Sequence, residues 1–206
     1  MNAPSDIRIR RAESRDAPAI VLLLAEAFAE YRTLYTPAAY EATVIANQQV
    51  VTRIKEGPVW IAMLDGLVVG TVSVVPKGES LYIRGMAVLP SARGQRIGKM
   101  LLTHVEKFAA SQGFSRLFLS STPFLDRAIR LYETYGFCRT DEGPQELFGT
   151  PLFTMEKVMG RTPEAKERTQ APQKPASKKV ARKRWFLRLN NAIKPFILGE
   201  QWLFQL

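Results

Sequence analysis

Residues 85–102 read GMAVLPSARGQRIGKMLL, which is an apolar strand-like run, a turn rich in glycine and arginine, and the start of a helix. Backbone N–H groups at a helix start lack intrahelical acceptors and lie at the positive end of the helix dipole. Gly94 and Gly98 allow close backbone approach, while Arg93, Arg96 and Lys99 add positive charge. We therefore predict an anion-binding segment whose natural occupant is a pyrophosphate.

Other phosphate-binding loops fit this spacing less well. A Walker A loop has four residues between its glycines and Ser or Thr after its lysine. Here three residues separate Gly94 from Gly98, and Met100 follows Lys99. A dinucleotide fingerprint would need Gly-x-Gly-x-x-Gly, and that spacing is absent. The remaining alternative is an ordinary capped helix with surface arginines.

The flanking pattern predicts an α+β fold. Strands are expected at 8–11, 59–64, 67–75, 81–89, 117–120, 137–140 and 152–158. Helices are expected from about 16 to 31, over 41–55, over 97–112 and over 128–135, with a loop over 33–40. The connections between 59 and 89 are too short for parallel crossovers, whereas strand 117–120 follows a helix and can lie parallel to strand 81–89. We expect a mixed, mostly antiparallel sheet flanked by helices.

The segment at 85–102 resembles the acetyl-CoA-binding motif of the GNAT superfamily of N-acetyltransferases. The family pattern Arg/Gln-x-x-Gly-x-Gly/Ala falls on Arg93, Arg96 and Gly98, and Arg96 replaces the first glycine but keeps its backbone N–H. Residues 128–137, AIRLYETYGF, resemble the second motif of the family. The resemblance covers about three quarters of the chain and leaves its C-terminal part outside.

This resemblance implies a GNAT-like fold and the transfer of an acetyl group from acetyl-CoA, as co-substrate, to a primary amine by direct attack. It implies that the pantetheine arm pairs with the backbone of Met86, Ala87 and Val88, where two parallel strands separate. It implies that the pyrophosphate is held by Arg93, Gly94, Gln95, Arg96, Ile97, Gly98 and Lys99. Many members carry an asparagine where Leu125 stands, so one side-chain contact to CoA is in question.

Attack by a neutral amine needs an acid for the sulfur and a base for the ammonium. Tyr132 matches the family tyrosine that protonates the leaving thiolate. Tyr82 stands where many members place a glutamate, and can orient a water or the amine, or pack as a core aromatic. Strand alternation would put Tyr82 and Arg84 on one face with Met86 and Val88.

The acceptor site of the family forms at the end of the first helix, where Glu30 and Tyr31 stand. We predict that both bind the substrate, a small-molecule or peptide amine, although Glu30 can equally be a solvated helix terminus. The rival hypothesis is a non-catalytic acyl-CoA-binding module whose basic tail binds nucleic acid or an anionic membrane. Tyr132 within an intact second motif favours the enzyme.

The sequence contains one cysteine, Cys138, and one histidine, His104. An internal disulfide is therefore impossible, a zinc site of these ligands is disfavoured, and we expect no metal. We expect His104 at the surface and Cys138 as a small buried residue. Since the chain has neither an apolar run of membrane-spanning length nor a signal-like N-terminus, we expect a cytoplasmic protein.

The basic charge is concentrated at the C-terminus. Residues 1–160 carry 18 Lys and Arg against 16 Asp and Glu, whereas residues 161–206 carry 11 against 3. We predict a catalytic domain over 1–160, a disordered basic linker over 161–179 and a basic amphipathic segment over 180–206. Within 178–206, a basic cluster lies beside Trp and Phe residues, which suits an anionic membrane surface, nucleic acid, or docking on the domain itself or on a second subunit in a homodimer.

We predict that full-length protein co-sediments with vesicles containing anionic lipid and not with neutral vesicles, because lysines attract anionic headgroups while aromatic side chains bury at the acyl boundary. A truncated protein that ends at Gly160 is the control and should stay in solution. Equal sedimentation of the two proteins would contradict membrane binding. A change in oligomeric state on truncation would indicate docking on a second subunit.

Overall fold

The computed structural model describes residues 6–160, so the predicted linker and basic segment lie outside the described residues. Its strands are β1 (Arg8–Arg11), β2 (Val59–Leu64), β3 (Leu67–Lys77), β4 (Ser80–Val88), β5 (Arg116–Ser121), β6 (Cys138–Thr140), β7 (Glu146–Leu147), β8 (Thr150–Pro151) and β9 (Phe153–Val158). Its α-helices are α1 (Ala17–Phe28), α2 (Pro37–Thr43), α3 (Asn47–Glu56), α4 (Ile97–Gln112) and α5 (Asp126–Thr134). No helix between residues 6 and 160 is long and apolar enough to cross a membrane.

Seven strands form one sheet in the order β1-β2-β3-β4-β5-β9-β6, and β7 pairs with β8 in a separate hairpin. All neighbours in the large sheet are antiparallel except β4 and β5, which are parallel. The two-residue turn at Asp65 and Gly66 has positive φ at both positions, as a tight hairpin between β2 and β3 requires. The predicted mixed, mostly antiparallel sheet flanked by helices is confirmed.

The sheet has a hydrophobic core on each face. One core packs α4 and α5 against the sheet through Ile97, Leu101 and Phe137, which are buried. The other packs α1 and α3 against Val59, Ile61 and Ala87. Because both faces are covered, the central strands carry apolar side chains on both sides.

The parallel strands β4 and β5 pair over only part of their length. Their last paired residues are Ile83 and Leu119, and β4 continues to Val88 while β5 continues to Ser121. Beyond that point β4 keeps its hydrogen bonds to β3 on its other side. The edge of β4 over residues 84–88 therefore faces a gap in the sheet.

Gly85 interrupts the alternation of β4. Thr71 faces Ala87 and Ser73 faces Arg84, so β4 contains one residue more than β3 between these pairs, which is a β-bulge. Gly85 has φ +57°, a conformation that glycine adopts without strain. The prediction that Arg84 and Met86 share a face is wrong: the bulge puts Tyr82 and Arg84 on the α3 side and Met86 and Val88 on the α4 side.

Several local predictions are also wrong. The helix expected over 41–55 is two helices, since the chain bends after Thr43 and Gln49 Oε1 accepts a hydrogen bond from the Ala46 N–H at 2.8 Å to start α3. The loop expected over 33–40 contains the start of α2, where Thr36 Oγ1 accepts from the Ala39 N–H at 3.3 Å and Pro37 takes the first helical position. The hairpin of β7 and β8 was not predicted.

The single cysteine and the single histidine are also not where the sequence predicted them. Cys138 is exposed, because it lies at the start of the edge strand β6 rather than in a central one. His104 is half-buried, with its ring centroid 4.9 Å from that of Trp60 on β2. Burial first, and then Lys107, lower its pKa.

Gly57 fixes the end of α3 against the sheet. A Cβ atom at this position would lie 2.2 Å from the Val74 carbonyl oxygen of β3, so any side chain would push α3 and β3 apart. We expect Gly57→Ala to lower the free energy of unfolding by about 2–3 kcal/mol in urea denaturation. Gly78→Ala, at a position with φ +59° and open space, is the control and should cost about 1 kcal/mol. Equal losses would contradict this packing.

Candidate active site

A cavity of about 580 Å³ lies at the gap between β4 and β5. Its walls include Met86 and Val88 from the α4 side of the sheet and Tyr82 and Arg84 from the α3 side. Because one cavity is lined from both faces, it passes through the gap in the sheet. The predicted site residues that line it are Tyr31, Tyr82, Met86, Ala87, Val88, Arg93, Gly94, Arg96, Ile97, Gly98, Lys99 and Tyr132.

Gln95 and Glu30 are the predicted site residues that do not line this cavity. Gln95 is exposed in the turn before α4. Glu30 forms an ion pair with Arg93, whose Nη2 also donates to the Ala27 carbonyl oxygen at 3.3 Å. These two contacts fix the Arg93 side chain at the C-terminal end of α1, and Glu30 itself lies outside the cavity lining.

The start of α4 has the geometry of an anion site, and we refer to residues 93–99 as the anion-binding turn. The first intrahelical hydrogen bond runs from the Met100 N–H to the Arg96 carbonyl oxygen at 3.0 Å. The N–H groups of Ile97, Gly98 and Lys99 precede it, so they have no acceptor within the helix. Arg96 caps the helix in the left-handed conformation, with φ +61°. The same φ suits glycine, which explains why a glycine is common at this place in the family pattern.

Gly98 serves helix packing. A Cβ atom there would lie 2.8 Å from Leu131 Cδ2 of α5, whereas a Cβ atom at Gly94 would have open space. Gly98 also lines the cavity, so its missing side chain leaves room both for Leu131 and on the cavity side. The Leu131 side chain of α5 thus lies over the first turn of α4, and Tyr132, the next residue, lines the same cavity.

Tyr132 of α5 lines the cavity on the α4 side of the sheet and is 7% exposed. Burial is the main cause that raises the pKa of its hydroxyl, with Tyr35 and Tyr82 adding to the effect. Tyr132 therefore holds its proton at neutral pH. A hydroxyl that is protonated and faces a cavity can donate a proton to a group inside it.

Tyr82 is also buried and lines the cavity from the opposite face of the sheet. Its ring centroid lies 4.9 Å from that of Phe118 on β5. Burial raises the pKa of Tyr82, and a hydrogen bond with Ser120 and the charges of Arg84 and Arg53 oppose that rise. At neutral pH Tyr82 is a protonated hydrogen-bonding group.

Sequence reasoning missed Arg53, Arg84, Tyr35 and Arg127, all of which line the cavity. Arg53 follows Val50 by three residues on α3, and that spacing places it on the buried face of the helix. The periodicity was therefore a usable signal for Arg53. Tyr35 lies in a segment without periodicity, and its place depends on the aromatic cluster with Phe28 and Phe124.

Comparison with known proteins identifies the family. The family model described as Acetyltransferase (GNAT) family matches residues 21–137, which is more than half of the chain. The N-acetyltransferase YjgM of Escherichia coli is 30% identical over 146 residues, covering 68% of this chain and 86% of that protein. The chain belongs to the GNAT acetyltransferase family.

Other relatives match a shorter region. N-acetylaspartate synthetase of Danio rerio is 35% identical over 85 residues, covering 40% of this chain and 30% of that protein. Two solved structures share the fold. PaiA N-acetyltransferase of Thermoplasma acidophilum, in complex with coenzyme A, has TM-score 0.66 and 19% identity over 75% of this chain and 99% of that one. Ribosomal-protein-alanine N-acetyltransferase of Brucella melitensis has TM-score 0.59 and 24% identity over 74% and 99%.

Family membership and the named relatives make this chain an acetyl-CoA-dependent N-acetyltransferase that transfers an acetyl group to an amine. The described residues contain the cavity, the anion-binding turn and the buried tyrosine in one place. Within residues 6–160, no group of three or more His, Cys, Asp or Glu lies close enough to hold a metal ion.

The backbone strain at Arg96 gives a test of the turn. We expect Arg96→Gly to be about 1 kcal/mol more stable to denaturant than Arg96→Ala, because glycine adopts positive φ without the penalty that a Cβ brings. Both variants remove the same charge, so the charge does not enter the comparison. Greater stability of the alanine variant would show that residue 96 is not left-handed in solution.

Proposed function

We propose that acetyl-CoA binds with its pantetheine arm along the open edge of β4 and its pyrophosphate at residues 93–99. The observation that carries this proposal is the end of β4–β5 pairing at Ile83 and Leu119, directly beside the anion-binding turn. Those backbone N–H and C=O groups of residues 86–88 that do not bond to β3 face a gap, and such groups need hydrogen-bonding partners. An arm with amide groups supplies those partners.

The charges of the turn support the pyrophosphate assignment. Arg93 and Lys99 line the cavity together with the N–H groups of the first turn of α4. Arginine and lysine beside a helix N-terminus are the chemistry that binds phosphate oxygens. Leu125 supplies an apolar contact at the start of α5, where many family members offer an amide.

In the proposed reaction, the neutral amine attacks the thioester carbonyl carbon and the carbon–sulfur bond breaks. Tyr132 donates its hydroxyl proton to the departing sulfur, and the attacking nitrogen loses one proton to solvent. Solvent then returns one proton to Tyr132, so the acid is restored and the reaction releases the amide and the free thiol. Its position in the cavity supports this role, and its raised pKa means that the hydroxyl carries a proton at neutral pH. Tyr82 orients the amine or a water, since its raised pKa makes it a poor base at neutral pH.

The acceptor enters from the side where Tyr31 lines the cavity. Tyr31 stacks on Phe124 with ring centroids 6.2 Å apart, so its ring forms a fixed wall there. Named relatives include a synthetase of N-acetylaspartate and a ribosomal-protein-alanine acetyltransferase, so both small molecules and peptide amines are acceptor classes among similar proteins. We further propose a cytoplasmic location and an anionic surface as the partner of residues 178–206, on the sequence arguments above.

We expect Tyr132→Phe to lower kcat by roughly 10- to 1000-fold while the affinity for CoA is nearly kept, because only the proton donor is lost. The measurement is thiol release from acetyl-CoA under conditions where chemistry limits turnover. Tyr40→Phe is the matched control, since Tyr40 lies on α2 and does not line the cavity. An unchanged kcat in Tyr132→Phe would reduce this tyrosine to a packing residue.

A further inference from the structure

Two buried arginines line the part of the cavity on the α3 side of the sheet. Arg84 lies on β4 immediately before the bulge, and Arg53 projects from α3 toward the same point. Each residue is only 8% exposed. They lie on the face opposite to α4 and its anion-binding turn, so the pyrophosphate does not account for them.

The guanidinium group of Arg53 rests directly on the bulge. A Cβ atom at Gly85 would lie 2.7 Å from Arg53 Nη1, so the bulge needs glycine partly because this guanidinium occupies the space. Gly85 immediately precedes residues 86–88, whose edge is the proposed site of the pantetheine arm. A group bound to Arg53 would therefore lie close to the reacting thioester.

Arg84, which lines the same wall as Arg53, forms an ion pair. Its Nη2 contacts Glu56 Oε2 of α3, while its Nε is buried and has no hydrogen-bond partner in the part of the chain described. A buried N–H without a partner is costly, which marks a position where a ligand oxygen would be favourable. Glu56 is about half-exposed and lies outside the cavity lining, so it contacts Arg84 from the rim.

The described lining of the cavity is cationic. It includes six Arg and Lys side chains and no acidic one, of which three belong to residues 93–99 and two, Arg53 and Arg84, form this wall. Burial first, and the charge of Arg84 second, lower the pKa of Arg53 to about 10. Lys77 on β3 also has a lowered pKa, mainly through burial and then through Arg84.

We propose that the acceptor is an amine that also carries a carboxylate, and that Arg53 and Arg84 bind this carboxylate so that its amine faces the open edge of β4. The proposal rests on the proposed function and names its substrate class. Planar guanidinium groups match carboxylate oxygens in geometry and charge. Polyamines and amines flanked by basic side chains meet repulsion at the same wall.

The test is an acceptor panel with the full-length enzyme and acetyl-CoA. It compares α- and ω-amino acids with their carboxamides and with the matching amines that lack the carboxyl group. We expect the carboxylate-bearing member of the preferred series to have a kcat/KM higher by roughly 10- to 100-fold, as expected for hydrogen bonds to a charged partner. Equal or better transfer to the uncharged or decarboxylated amines would overturn this proposal and leave the proposed function standing. No transfer to any amine would overturn both.

Two charge variants test the assignment of residues. Arg53→Gln should raise KM for the carboxylate acceptor at least tenfold and leave KM for acetyl-CoA within about twofold. Glu56→Gln should lower KM for the same acceptor, because it removes the negative charge that competes with the acceptor carboxylate for Arg84. Since Glu56 is half-exposed, we expect this variant to fold normally. Arg130→Gln, which removes an exposed charge from α5, is the control and should change neither. Unchanged acceptor KM in both variants would overturn the assignment.

Discussion

The β-bulge at Gly85 is the backbone constraint on which the site depends. It adds one residue to β4 opposite β3 and thereby reverses which side chains face α3 and which face α4. The reversal occurs at Gly85, two residues after the last residue of β4 that pairs with β5, so the change of face lies within the open edge. A single cavity is thereby lined from both faces of one sheet.

The two faces have different chemistry. On the α4 side, the first turn of the helix presents N–H groups that have no intrahelical acceptor. Arg96, which precedes that turn, has a left-handed backbone conformation. On the α3 side, buried Arg53 and Arg84 surround the bulge. Tyr132 of α5 is buried and lines the same cavity. In the proposed mode, the two substrates would enter from opposite faces and meet at the gap.

The sequence predicted the features that depend on local signals. Alternation and the turn at Asp65 and Gly66 predicted the meander, and the helix between 97 and 112 predicted the parallel pairing of β4 with β5. Single glycines in strands often mark bulges, but the pattern alone did not show that Gly85 reverses the faces. The spacing from Val50 indicated that Arg53 lies on the buried face of its helix, but the pattern did not show that this side chain reaches Gly85 on β4.

The same limit applies to features that depend on tertiary position. Cys138 was expected in the core because small residues often lie there, yet the strand that carries it is an edge. The boundary between α2 and α3 depends on a side-chain cap from Gln49, which propensity does not reveal. The roles of residues 161–206 remain predictions, because these residues lie outside the part of the chain that the structure describes.

The most direct measurement of the central claim is a crystal structure of the full chain bound to CoA. We expect the pyrophosphate oxygens to accept hydrogen bonds from the N–H groups of residues 97–99 and the pantetheine arm to pair with residues 86–88 along β4. We also expect the sulfur to lie nearer to the Tyr132 hydroxyl than to Tyr82. A pantetheine arm outside the gap between β4 and β5, or a sulfur distant from Tyr132, would contradict the account.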